Sequence, residues 1–537
     1  MKSIPGDSAA GPNRLRLLQV IILPAFSGGL LALAVTPHPS AGLALVCLVP
    51  MFLGRPCRFP AALIRGLVLG TVYYLGTVSW TLNVQGFEIW HLLPVVFYLS
   101  FFYAFWALGL EMSRTESAFL QAAVLASLWV VLEYVRNNFG FLALPWAGIA
   151  HGFLDVAPIR QFAALFGEYG LAFLAVAVNV SIGRAVSDLV RGQPCAVDTK
   201  AVFASLGFAI AVVGFGYFRL AGPESAETLR VRLVQEGGAR TKQREANSIG
   251  TLESLTRSKA EQTAGPDLVV WPEGAVKLIN RFPFVYGEIF QLSKALGAPI
   301  VFGASSGSKY LRRNNNQVAG EMINEMVVID GAQDGLQKYG KRKLVPFGEY
   351  IPLSGSMDWP DWLVPSIIEV TVPPGPPTRL LISGGNIAIA PAICWENLFS
   401  ANIRTVVPVG AAVGANISNL SIFDSPKAVV QHNSSTVLRA IENGIAFILA
   451  TDTGPSWLVT PTGEVVARTA YGRPQFAEGV VPVSSQRPLY WRIGDVLVLG
   501  CALLLMAWAA RRAWQHSDSD KQRDSERNTT SDDSLAP

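Results

Sequence analysis

One glutamate and one cysteine in this sequence each stand where a short apolar run gives out, and one lysine opens a basic run that leads into an apolar turn. Together they are what acyl chemistry needs: a base, an oxyanion partner and a nucleophile. Glu273 follows such a run in Trp271-Pro272-Glu273-Gly274. A carboxylate on a low-dielectric rim is expected to have a raised pKa and to serve as a base, although a helix N-cap or a surface turn uses the same residue types. Lys341 opens the run Lys341-Arg342-Lys343-Leu344-Val345-Pro346-Phe347-Gly348-Glu349-Tyr350. Its ammonium could stabilise a developing oxyanion; a solvated basic loop is the plainer reading. Cys394 lies in Ala392-Ile393-Cys394-Trp395-Glu396-Asn397 and is the one cysteine in the stretch 221–488. A buried cysteine is more often packing than catalysis. Here a charged residue two positions on favours a strand that leaves into a cleft. A thiol is only slightly ionised at neutral pH and needs a base or a positive neighbour. His432, the one histidine in that stretch, is a possible base; Glu273 with Lys341 as electrophile makes fuller use of what the region offers.

Strands must carry these groups. Short apolar runs recur at 231–235, 268–271, 300–303, 326–329, 387–394, 411–417, 445–451 and 457–460, with helical stretches near 284–296 and 425–443. Runs of that length read as buried strands. Mixed with helices, they predict an α/β layered sandwich. Pro461-Thr462-Gly463 turns a late hairpin. In such sheets chemistry gathers where strands end.

Only part of the chain can be such a domain. Of its 537 residues 50% are hydrophobic and 15% charged, against about 25% charged in a soluble domain. Mean hydropathy is +0.35. These values exclude a wholly soluble, disordered, collagenous or disulfide-rich secreted chain. Cysteines at 47, 57, 195, 394 and 501 show neither a disulfide framework nor zinc spacing. A net charge of +4 gives no case for nucleic acid, and nothing calls for a metal or a cofactor. Runs with few charges cover about 17–36, 41–54, 66–82, 91–110, 118–135, 162–183, 201–219 and 494–510. A membrane helix takes about 20 apolar residues; the run at 41–54 is short and contains Pro50. The expected organisation is a polytopic α-helical membrane domain of about eight spans plus an extracytoplasmic α/β domain. In order, these are a cytoplasmic N-terminus (1–16), spans one to seven (17–220), the α/β domain (221–488), span eight (489–512) and a disordered cytoplasmic tail (513–537). Lys and Arg in the short loops set the orientation. With the N-terminus inside, Arg55, Arg58, Arg114, Arg184, Arg191, Lys200, Arg511 and Arg512 fall on the cytoplasmic side, and Arg136 and Arg160 on the other. The α/β domain then lies outside. Ala32-Leu33-Ala34 has the outline of a signal-peptide cleavage site. Because more spans follow at once, a retained helix is expected.

The order Glu273, Lys341, Cys394 comes with Trp271-Pro272-Glu273, the run 344–350 and Cys394-Trp395-Glu396. It resembles the nitrilase, or carbon–nitrogen hydrolase, superfamily. Within it the chain is similar to the apolipoprotein N-acyltransferase family, also in Glu133, Arg136, Pro145-Trp146 and Gly167-Glu168-Tyr169-Gly170. The resemblance runs from about 15 to 512. It implies an αββα sandwich with Glu273, Lys341 and Cys394 as catalytic triad. It also implies that Glu349 supports Lys341, that a backbone N–H near Trp395 helps hold the oxyanion, and that Glu396 lines the site. The implied activity moves an acyl chain from a phospholipid, through a cysteine thioester, to the N-terminal amine of a diacylated apolipoprotein at the bacterial inner membrane. The implied catalytic domain is periplasmic. Some positions depart from the family pattern. Glu236-Gly237-Gly238 stands where Asn and soon a Trp are usual. Ser418-Asn419-Leu420-Ser421-Ile422-Phe423 replaces Thr-Asn-Asp-x-Trp-Phe, Ile445 replaces an Arg, and Asp452-Thr453-Gly454 replaces Asn-Thr-Gly. Three rival readings are a membrane-anchored amidase hydrolysing a small amide, a catalytically degenerate lipoprotein-binding module, and a transporter. Seven preceding spans speak against the first and filled triad positions against the second. Charges confined to span ends speak against the third.

Overall fold

The computed structural model describes residues 17–532 except 37, 194–197, 224, 238–247, 259–264, 278, 280–282, 308–311, 315–316, 320–321, 334, 365–379, 383–385, 408–409 and 485. The expected N-terminal segment 1–16, Cys195, Gly238 and the last five residues lie outside the described residues.

Seven of the described helices are long and apolar enough to cross a bilayer. They are α1 (Leu18–Val35), α4 (Phe59–Val78), α5 (Ile89–Met112), α6 (Ala118–Asn138), α7 (Ala163–Val190), α8 (Thr199–Leu220) and α13, which starts at Val496. The run at 41–54, expected as a full span, is instead two short helices, α2 (Ala41–Ala44) and α3 (Val49–Leu53). Pro50 is tolerated in the first turn of α3 but cannot continue a helix from α2. Asn179 of α7 bridges the break: its Oδ1 accepts from the Leu48 N–H at 2.7 Å, and its Nδ2 donates to Ala44 O at 2.7 Å. The segment still travels from one end of the bundle to the other. Ala44 packs beside Gly152, and Gly54 O accepts from Arg114 and Arg191 at 3.1 and 3.2 Å. Among the described residues, seven long apolar helices and this broken segment make up the membrane half. At that far end Glu111 pairs with Arg65 and Arg114 at 2.7 and 2.6 Å, and Glu116 with Arg511 at 2.5 Å. The expected disordered tail also differs, because α13 continues to Asp532. Extending an existing helix adds one hydrogen bond per residue fixed, without a new nucleation step.

Among the described residues the α/β half has two six-stranded sheets. The first contains β1 (Thr228–Gln235), β2 (Leu268–Val270), β3 (Ile300–Gly307), β6 (Met322–Ile329), β7 (Leu336–Gly340) and β14 (Gln475–Pro482), in the order β14-β1-β2-β3-β6-β7. The second contains β8 (Leu380–Ile382), β9 (Ile387–Ile393), β10 (Ala411–Ser418), β11 (Ala446–Thr451), β12 (Trp457–Val459) and β13 (Val465–Arg468), in the order β13-β12-β11-β10-β9-β8. Strands β4 (Arg312–Asn314) and β5 (Gln317–Ala319) form a separate ribbon. Three neighbouring strands run parallel in each sheet: β1, β2 and β3 in one, β9, β10 and β11 in the other. Side-chain alternation makes the layers. Leu268, Val270, Val301, Met326 and Val328 join the second sheet in one core. Val269, Trp271, Ile300, Phe302, Val327 and Ile329 point the other way, onto α9 (Ser248–Arg257) and α10 (Pro283–Leu296). Helices α11 (Ser400–Val406) and α12 (Pro426–Asn443) cover the second sheet, completing an αββα stack.

Helix α12 joins the two halves. From Ala428 to Asn443 all but Val430 is largely buried, although Gln431, His432, Asn433, Arg439 and Glu442 are polar. Their partners explain this. Gln431 Oε1 accepts from the indole N–H of Trp80 at 2.9 Å and of Trp146 at 2.6 Å, and Gln431 Nε2 donates to Thr77 O at 3.0 Å. Trp80 and Trp146 pack together with ring centroids 4.9 Å apart, and Trp146 brings its loop against the α/β half at Gln431. Arg439 Nη2 donates to Glu168 Oε2 at 3.0 Å and Glu442 Oε1 at 3.1 Å. The Glu168 N–H reaches Glu442 Oε1 at 2.9 Å because α7 bends at Gly167, whose φ is +65° and whose missing side chain leaves room for Tyr490. Gln431→Leu should strand two buried indole donors, each costing about 1–3 kcal/mol. Its melting temperature in detergent should therefore drop by several degrees. An unchanged melting curve would show that this clasp holds nothing.

Candidate active site

All three expected groups meet at the C-terminal ends of strands. Glu273 lies on the turn after β2, which fits only because β3 has no side chain at Gly303: a Cβ there would sit 2.4 Å from Glu273 Cα. Lys341 follows β7, its N–H donating to Asn324 O at 2.8 Å. Cys394 follows β9 and opens the 3-10 turn Cys394–Leu398. Its φ of +54° is a left-handed conformation that costs a β-carbon residue about 1–3 kcal/mol. The carbonyl of this strained residue is held twice, by Asn416 Nδ2 at 2.9 Å and His432 Nε2 at 3.2 Å.

The groups are buried: Cys394 is 5% exposed, Glu273 8% and Lys341 1%. Lys341 Nζ lies 2.7 Å from Glu349 Oε1 and 3.6 Å from Glu273 Oε1. Glu273 is aimed by two further donors, Asn324 Nδ2 to Oε1 at 2.6 Å and the Asn419 N–H to Oε2 at 2.7 Å. Glu349 Oε2 accepts the Val345 N–H at 2.8 Å. Burial alone would push the Lys341 ammonium down, but the charges of Glu349 and Glu273 outweigh it and hold its pKa well above the usual lysine range. Burial and then the Glu273 charge push the Cys394 thiol well up; Lys341 and the Trp395 N–H pull the other way. The resting sulfur is therefore a protonated thiol that needs a base.

His432 is not that base. It touches the Cys394 carbonyl, and burial pulls its pKa down. Glu396, expected to line the site, has its carboxylate taken up in holding two loops together. Oε1 accepts the N–H groups of Arg342 and Lys343 at 2.8 and 2.9 Å; Oε2 accepts the Ile393 N–H at 2.8 Å and Tyr339 OH at 3.0 Å. It locks the Lys341 loop onto the Cys394 strand. The Trp395 indole donates to Lys343 O at 2.6 Å and does the same. Asn324, Asn416 and Tyr339 escape sequence reasoning. The one signal for them is a polar residue interrupting, or ending beside, an apolar strand.

Among solved structures, a Nesterenkonia amidase from the nitrilase superfamily is similar over 52% of this chain and 98% of its own, at 16% identity and a TM-score of 0.36. Residues 230–488 match the family model for carbon–nitrogen hydrolase, and residues 27–181 that for the apolipoprotein N-acyltransferase N-terminal domain. The apolipoprotein N-acyltransferase of Geobacter metallireducens is 28% identical over 531 residues, covering 95% of this chain and 98% of the relative. That of Gloeobacter violaceus is 29% identical over 527 residues, covering 92% and 94%. The chain belongs to the apolipoprotein N-acyltransferase family. Two of its departures from the N-acyltransferase pattern face each other. Leu420 stands where an Asp is usual, yet its N–H donates to the carboxylate of Asp452, where an Asn is usual, at 2.7 Å. The Asp452 carboxylate thus fixes the 418–421 segment that aims Glu273. Burial raises the Asp452 pKa to about 6 from 3.8. A raised folded pKa means that this group's stabilising contribution is complete below about pH 4 and is lost as pH rises through 6. The gap corresponds to roughly 3 kcal/mol. Asp452→Asn keeps the acceptor and removes the charge. The variant should melt above wild type at pH 8, and the two should converge toward pH 4. Parallel curves from pH 4 to 8 would contradict this.

Proposed function

We propose that Glu273, Lys341 and Cys394 carry an acyl chain from a phospholipid to the N-terminal amine of a diacylated apolipoprotein. The protein is an N-acyltransferase of lipoprotein maturation and a multi-pass bacterial membrane protein. What supports the assignment of these residues is one observation: a buried thiol under the combined charge of a carboxylate and an ammonium, on a domain seated on the membrane helices. Glu273 takes the Cys394 proton and the sulfur attacks the ester carbonyl. Lys341 and the Trp395 N–H face the oxyanion. The ester C–O bond breaks, the lysophospholipid oxygen takes the proton from Glu273, and a thioester remains. The neutral amine then attacks the thioester, Glu273 receives its proton, and the C–S bond breaks to release the amide and restore the thiol.

We place the α/β half on the periplasmic side of the inner membrane. Arg55, Arg114, Arg191, Arg511 and Arg512 gather at the opposite end of the bundle, which supports this. The membrane half has a physical reason under this reading, because drawing an acyl chain into water costs about 0.8 kcal/mol per CH₂. Phe347, Trp359 and Phe141 stack in turn at 5.1 and 6.4 Å, tying the loop that carries Glu349 to the membrane half. Leu353, Met357 and Trp362 on that loop are exposed, apolar and suited to lipid. The test is intact mass spectrometry after incubation with phospholipid alone. One acyl mass should appear on Cys394 and leave when a diacylated lipopeptide is added. An adduct that water removes as fast as the lipopeptide does would point to hydrolysis, and no adduct would end the thioester reading.

A further inference from the structure

The residue beside the Gln431 clasp touches the nucleophile's backbone. His432 Nε2 and Asn416 Nδ2 both reach the Cys394 carbonyl oxygen, at 3.2 and 2.9 Å. Both ring nitrogens face oxygens, Nε2 the Cys394 carbonyl and Nδ1 the Asn433 Oδ1 at 3.3 Å; a neutral imidazole with its hydrogen on the closer contact, Nε2, donates to the carbonyl. That carbonyl belongs to the same peptide unit as the Trp395 N–H, which favours the Cys394 thiolate. Hydrogen bonds accepted at a peptide oxygen withdraw electron density from the nitrogen and strengthen its N–H as a donor. They also hold the unit at the orientation that a φ of +54° at Cys394 demands. His432 is itself buried and held from the membrane side. Gln431 is fastened to Trp80, Trp146 and Thr77, and the Trp146 ring lies 6.4 Å from the imidazole.

We propose that His432 is a positioning residue: its Nε2–H orients and polarises the Cys394–Trp395 peptide so that the Trp395 N–H serves as oxyanion donor, and the membrane half sets His432 through the Gln431 clasp. This rests on the thioester reading above and leaves its bonds and protons unchanged. The imidazole keeps its hydrogen throughout. Its contribution is geometric and inductive, which explains why a polar helix is buried between the two halves.

The experiment uses the full chain in detergent with His432→Leu, His432→Gln and Asn416→Ala. Three quantities are read: single-turnover acylation of Cys394 by intact mass, KM for phospholipid, and the pH midpoint of Cys394 alkylation by iodoacetamide. Removing a whole oxyanion donor costs about 10²–10³-fold. Weakening one in His432→Leu should slow acylation by about 30-fold, with KM unchanged. The alkylation midpoint should move up, because the thiolate loses part of a donor. His432→Gln, which can offer an N–H to the same oxygen, should recover most of the rate. Asn416→Ala removes the other donor on that oxygen and should move the midpoint the same way, even if His432→Leu does not fold. Unchanged midpoints in the folded variants, equal losses for Leu and Gln, or a loss confined to KM would overturn the role of His432. A wild-type protein without an acyl adduct would instead remove the thioester reading on which the proposal stands.

Discussion

Cys394→Ser should lose acyl transfer by about 10⁴-fold or more, the scale of removing a nucleophile from a coupled catalytic unit. The protein should stay folded, because Ser replaces one buried sulfur and leaves the backbone partners of Cys394 in place. A hydroxyl in the same position is far less acidic than a thiol, and the site that already pushes the thiol up would push the hydroxyl further. Transfer to a diacylated lipopeptide in detergent, with phospholipid as donor, gives the measurement. Near-wild-type transfer by Cys394→Ser would mean that the acyl chain never rests on this residue.

Replacing Glu273 by Gln should cut transfer by about 10²–10⁴-fold at neutral pH, the usual worth of a general base. The same substitution should make the thiol more acidic. The Glu273 charge is one of the causes that raise the Cys394 pKa, second only to burial. Without it, Lys341 still has Glu349 at 2.7 Å and still favours the thiolate. Alkylation of Cys394 should then have a lower pH midpoint while transfer collapses. This opposition separates base catalysis from simple activation of the sulfur, since losing a residue that served only to create thiolate would raise the alkylation midpoint as transfer fell. Transfer within threefold of wild type would remove Glu273 from the mechanism.

Much of this architecture is legible along the chain because it is local. Four to eight apolar residues in a row bury a strand whatever surrounds them, so the eight expected strands recur in the structure, some longer or shorter by a few residues. The hairpin turned at 461–463 is there as well, returning as β13. Strands β7, β8 and β14 were not expected. They are edge strands, and β7 mixes polar with apolar residues. Helix α12 shows the limit most clearly. Its composition suggests a solvated surface helix, yet its polar groups are satisfied by partners such as Trp80, Trp146 and Glu168, hundreds of residues away. The broken second pass is similar, since its cap is a single asparagine on α7.

By itself the sequence determined where apolar surface must be hidden, which segments enter the bilayer or a sheet, and that Glu273 and Cys394 each leave a strand. Residue type and spacing suffice for that, because burial of a run depends on its own side chains. Tertiary structure alone decided the roles inside the site. It turned His432 to a carbonyl in place of the thiol, used Glu396 as a brace between loops, and brought Asn324 and Asn419 to aim the base. Hydrogen bonds act over about 3 Å and in fixed directions. No pattern along the chain can specify them until the strands that carry their donors and acceptors have been laid side by side.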